Sequence, residues 1–146
     1  MTVAHAIATA ATFVWLGMVV AISFIEAPLK FRAPGVSIQI GLGIGRLVFR
    51  ALNTIEVALA VILLIAILLD GFSTTAVVAI VVAVVVLAVQ LVAVRPALNR
   101  RSDAVLSTPP AENPSGHGRS RAHYGYVGLE TVKVIALIVG GVALLV

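Results

Sequence analysis

The chain has 146 residues, 61% of them hydrophobic and only 11% charged, with a formal net charge of +4 and no cysteine. Soluble domains average roughly 45–50% apolar and about 25% charged residues, so ten basic and six acidic side chains are too few to coat a globule in water. That excludes a water-soluble enzyme or nucleic-acid-binding domain, any disulfide or thiolate metal centre, and, with 5% aromatics, the aromatic girdles of an outer-membrane barrel. An all-α integral membrane four-helix bundle remains, forming a single domain over residues 1–146.

In chain order, four apolar segments are long enough to cross a hydrocarbon core that takes about 20 helical residues. They run from about Val3 to Ile25, Gly41 to Leu69, Ser73 to Val94 and His123 to Val146. Nothing basic precedes the first and it is long, so it is expected to span rather than to be cleaved as a signal peptide. The second is overlong at ~43 Å if helical throughout, so its part up to Arg50 is expected at the headgroups. Asp70-Gly71-Phe72 is a tight turn that forces spans 2 and 3 into an antiparallel hairpin. Glu26 to Ile40, with Pro28, Pro34 and Gly35, alternates Leu29 and Phe31 with Lys30 and Arg32, as a segment lying in the interface does. Residues 95–122, with Pro96, Pro109, Pro110 and Pro114, are expected to form a flexible cytoplasmic loop.

Orientation follows from the basic residues. Lys30, Arg32, Arg46 and Arg50 flank one connection, and Arg95, Arg100, Arg101, Arg119 and Arg121 the other. Nine of the ten Lys and Arg residues therefore sit at one end of an even-span bundle. Both long connections are expected in the cytoplasm of a bacterial inner membrane, with the N and C termini outside and the basic loops against anionic lipid.

Ionisable groups inside spans cost about 2.5–3.5 kcal/mol each on insertion scales and by default mark function. Arg46, Arg50, Asn53 and Glu56 recur at helical spacing, as do His123, Tyr126, Glu130 and Lys133. At ~1.5 Å per residue, Glu56, Gln90, Glu130 and Lys133 share one layer in the cytoplasmic third of the bilayer, and Glu26 is expected to close it. These ten residues are the candidate binding set. One reading is a polar cavity that binds or passes a small polar solute, an ion, a proton or a small anionic molecule. In it Glu56 and Glu130 take the cation or proton, balanced by Arg50 and Lys133. The other reading is helix glue plus snorkelling basic side chains, in a scaffold or accessory subunit of a larger membrane complex. Small-residue faces on spans 3 and 4 (Ala76, Ala79, Ala83; Gly140, Gly141) suit a homo-oligomer equally.

A metal or haem site has weak candidates in His117, His123, Glu130 and Glu56, but the Glu-x-x-His pairs of bundle metal sites are missing, and no cofactor is favoured. Gly41-Leu42-Gly43-Ile44-Gly45-Arg46 imitates a phosphate loop without the preceding strand, so close helix approach or a bent helix start is the better reading. Trp15, mid-span, reads as core packing. No serine has a base or oxyanion arrangement beside it, so catalysis is not expected.

"FIEAPLKFRAPG" (Phe24 to Gly35), "GLGIGRLVFRALNTIE" (Gly41 to Glu56) and "HYGYVGLETVKV" (His123 to Val134) resemble segments of small uncharacterised bacterial four-span membrane proteins. More distantly, the chain is similar to the family of the human transmembrane protein associated with cisplatin resistance. The resemblance implies the four-helix membrane fold and no particular activity. It spans most of the chain outside 95–122, and its matching positions include Glu26, Pro28, Phe31, Arg46, Phe49, Arg50, Asn53, Glu56, His123, Glu130 and Lys133.

Overall fold

The computed structural model describes residues 2–107, 109 and 121–146. It contains four long helices: α1 (Val3–Arg32), α2 (Ile38–Leu69), α3 (Thr74–Ser107) and α4 (Arg121–Leu145). All four carry stretches long and apolar enough to cross a membrane. At 1.5 Å per residue, α2 and α3 are ~48 and ~51 Å long, well beyond a hydrocarbon core of about 30 Å. Three helices start on hydroxyl caps. Thr2, Ser37 and Ser73 accept from the backbone N–H of His5, Ile40 and Ala76, each satisfying a donor that the first turn leaves open.

Two helices run further than the sequence suggests. The segment 26–40 was expected to leave the helix near Glu26, yet α1 continues through Pro28 to Arg32. The expected loop from Arg95 is instead helical as far as Ser107, and the part of it at 108 and 110–120 lies outside the described residues. The physical reason is the same at both prolines. A proline ring clashes with the carbonyl four residues back and provides no N–H. Here each proline follows a wide turn, Val20–Glu26 or Gln90–Val94, in which the bonding slips from four residues to five. The Ala27 N–H reaches the Ile22 carbonyl and the Arg95 N–H reaches that of Gln90. The extra residue per turn makes room for the ring, and the helix passes through.

Packing follows the order α2–α1–α4–α3. Helix α4 lies between α1 and α3, and α2 leans chiefly on α1. The core joins Ala8, Trp15 and Val19 of α1 with Leu63 of α2, Ile80 and Leu87 of α3, and Leu137 and Leu144 of α4. The small residues Ala76, Ala79 and Ala83 are buried within this bundle rather than left for a neighbouring copy. A Cβ built at Gly140 comes to 3.3 Å from the Ala79 Cβ and 3.8 Å from the Ile80 backbone nitrogen. Backbone cannot swing aside, so Gly140→Leu must force α3 and α4 apart. We expect a loss of about 1–3 kcal/mol, read as an earlier unfolding midpoint in detergent. At the glycine-rich start of α2, Gly41 faces the Phe31 ring so closely that a Cβ has no room, Gly45 lies against the end of the flexible Lys30 side chain, and Gly43 faces open space.

Both termini and the α2–α3 turn share one end of the bundle. There the Thr2 hydroxyl donates to the Asp70 carboxylate, and His5 Nε2 donates to the Leu144 carbonyl at 2.5 Å while its ring packs on Phe72. The basic residues gather at the other end, where Arg46 of α2 pairs with Asp103 of the α3 extension at 2.6 Å.

Candidate functional site

Below the basic end, the bundle interior holds, among the described residues, five polar side chains that are almost fully buried: Thr12, Glu56, Gln90, Glu130 and Lys133. Thr12 satisfies itself by donating to the Ala8 carbonyl one turn back. The other four, with Trp15, form one network. Lys133 Nζ donates to Glu56 Oε1 at 2.5 Å and to Glu130 Oε1 at 3.3 Å. Trp15 Nε1 donates to the same Glu56 oxygen at 2.9 Å, and Gln90 Nε2 to Glu130 Oε1 at 3.1 Å. Every helix contributes, which is how polar groups tie helices together where water is absent.

Asn53 links this network to the basic end. With its amide oxygen turned to the guanidinium, it accepts from Arg95 Nε and Nη2, both at 2.7 Å, and its nitrogen donates to Glu56 Oε2 at 3.2 Å. The Arg95 guanidinium also lies over the Phe49 ring, 5.3 Å from its centroid, and Tyr126 meets that ring edge-on at 5.7 Å. Lys133 and Arg95 thus balance Glu56 and Glu130, two charges against two. In this arrangement Glu130 Oε2 and the Tyr126 hydroxyl are buried without a hydrogen-bond partner.

Above Asn53 a cavity of about 260 Å³ opens in the seam between α2 and α3, lined by Arg46, Arg50, Asn53, Thr54, Leu91, Arg95 and Asn99. Helices α2 and α3 pack against each other least among sequential neighbours, which leaves the seam available. Three guanidinium groups face the cavity. Arg46 is paired with Asp103 and Arg95 is engaged through Asn53, whereas Arg50 has no carboxylate partner among the described residues.

The structure brings Glu56, Gln90, Glu130 and Lys133 into one layer, with Tyr126 beside it and Asn53, Arg46 and Arg50 above. It does not bring in the other two. Glu26 pairs with Lys30 one turn on, at 3.4 Å, because both project from the same face of α1. His123 is exposed at the start of α4, with its ring against Tyr124. His117 lies outside the described residues, and among those described no three His, Asp or Glu side chains converge as metal ligands. The expected polar cavity also differs in place. The carboxylates pair directly with Lys133, and the open volume sits one level nearer the basic end.

Three participants were not anticipated: Trp15, Arg95 and Asn99. Arg95 and Asn99 follow once α3 is known to continue past Pro96, since they then extend its helical face beyond Gln90. The signal for Trp15 was its position, one indole N–H in an otherwise apolar stretch, where a buried donor requires an acceptor. Trp15→Phe keeps the ring and removes that donor from Glu56. It should cost about 1.5–3 kcal/mol, visible as reduced resistance to denaturing detergent, whereas an unchanged midpoint would make the contact incidental. No protein-family model matches the chain, and neither does any curated protein or solved structure.

Proposed function

We propose that this multi-pass membrane protein binds a small oxyanion in the α2–α3 cavity, at an end that faces the cytoplasm of a bacterial inner membrane. The observation that carries the reading is Arg50, a guanidinium with no carboxylate partner among the described residues, beside Arg46 and Arg95 on a cavity of about 260 Å³. Arginine's planar fork matches carboxylate, phosphate and sulfate groups, and asparagine side chains complete the shell. The charge balance below the cavity favours an anion over a cation, because Lys133 already occupies both buried carboxylates. The oxyanion is either a free solute or the phosphate of a lipid headgroup, since the chemistry recognised is the same.

Trp15, the single tryptophan, touches Glu56 and so reports on the network beneath the cavity. Sulfate titrated into the full chain in an uncharged detergent is expected to saturate a fluorescence change, and Arg50→Gln to weaken it at least tenfold. In phosphatidylcholine nanodiscs, adding phosphatidylglycerol competes with sulfate if a headgroup is the natural occupant and leaves its affinity unchanged if a solute is. No binding of either, or binding indifferent to Arg50→Gln, overturns the reading.

A further inference from the structure

We infer that anion binding in this cavity is coupled to the uptake of one proton by the buried carboxylate pair, at Glu130. The inference rests on the proposed anion site and goes beyond it. The charges that act on the pair are Lys133 of α4, in direct contact, and Arg95 of α3, through Asn53, with the Tyr126 phenol beside Glu130 and Arg50 of α2 further out on the cavity lining. Helix α1 contributes the uncharged Trp15 indole and, across the Phe49 ring from Arg95, the Lys30 ammonium, 5.4 Å from that ring's centroid and already paired with Glu26. Without an anion, Lys133 and Arg95 offset Glu56 and Glu130, and Arg95 acts on Glu56 through a single amide, that of Asn53.

Arg95 also lines the cavity, so the charge that an oxyanion recruits is the one already balancing the network. Negative charge placed there leaves two carboxylates sharing one ammonium in a low-dielectric interior, where like charges cannot both persist cheaply. A proton restores the balance. Its place is marked by geometry: both Glu56 oxygens are engaged, whereas Glu130 Oε2 is buried with no hydrogen-bond partner, one helical turn from the equally unpartnered Tyr126 hydroxyl. A proton on Glu130 Oε2 forms an O–H beside that phenol oxygen, while Oε1 keeps its bonds from Lys133 and Gln90. Binding equilibria linked in this way are reciprocal, so the anion must bind more tightly as protons become more available.

The test is calorimetric titration of the full chain in uncharged detergent with sulfate, which does not itself titrate near neutrality. It is repeated in buffers of different ionisation enthalpy. About one proton taken up per sulfate bound, with affinity falling up to tenfold for each unit of rising pH, is the expected result. Sulfate binding with no proton uptake overturns the coupling and leaves the anion site standing. No sulfate binding overturns both. Glu130→Gln is expected to bind sulfate without proton uptake, and uptake that survives in this variant overturns the assignment to Glu130. Should that variant fail to fold, the charge-balanced triple variant Glu56→Gln, Glu130→Gln, Lys133→Met takes its place, and proton uptake that survives in it overturns the assignment to the carboxylate pair.

Discussion

Lys133→Met is expected to be the most damaging single substitution in the chain. Its ammonium is fully buried and, among the described residues, is the only cation in direct contact with Glu56 and Glu130. Removing one partner of a buried pair leaves an uncompensated charge and typically costs 3–5 kcal/mol. Here two carboxylates are left, so a loss of at least about 3 kcal/mol is expected. The measurable outcome is aggregation on size exclusion, or a collapse of the denaturing-detergent midpoint. Replacing the whole ionic set is a different matter, because buried ion pairs are often no more stable than well-packed neutral groups of the same size. The triple variant Glu56→Gln, Glu130→Gln, Lys133→Met keeps oxygens for Trp15 and Gln90 to donate to. It should recover most of the folded protein. Full recovery by the triple and failure of the single would show that charge balance, not packing volume, governs the layer. A Lys133→Met protein as stable as the parent would refute an ionic network.

The sequence made the layer legible and its wiring illegible, for a physical reason. The 3.6-residue period places Asn53 and Glu56 on one face of α2, and Tyr126, Glu130 and Lys133 on one face of α4, and depth follows from the rise per residue. Partner choice across helices depends on rotation and crossing, which spacing does not contain. Glu26 therefore looked like a member of the layer and instead pairs with Lys30. Proline reads as a helix stop in the sequence, yet α1 and α3 run on through theirs. Pro28 and Pro96 both sit just after turns wound one residue wider, and that slip in bonding has no evident residue signature. Arg95 and Asn99, and with them the cavity, depend on α3 continuing past Pro96. Among the glycines of α2, Gly41 fits the close approach expected of this run, because the Phe31 ring occupies the space a Cβ would need, whereas Gly43 faces open space.

Arg95 is where stability and binding meet, so its substitutions should separate the two. Arg95→Gln removes the guanidinium that Asn53 holds at 2.7 Å, a wall of the cavity, and one of the two charges opposing Glu56 and Glu130. Truncating one member of a hydrogen-bonded charge pair at a binding site costs 2–5 kcal/mol, so sulfate affinity should fall by about 30-fold or more. Arg95→Lys keeps the charge but loses the planar fork and the stacking on Phe49, seen at 5.3 Å. It should fold like the parent while binding sulfate more weakly, whereas Arg95→Gln should lose stability as well. Arg50→Gln supplies the contrast. Its side chain faces the cavity from the exposed side and makes no pair with the buried carboxylates, so it should weaken sulfate binding with little change in unfolding midpoint. Equal effects of Arg50→Gln and Arg95→Gln on stability would break the link drawn through Asn53. Unchanged sulfate affinity in both would remove the cavity from consideration as an anion site.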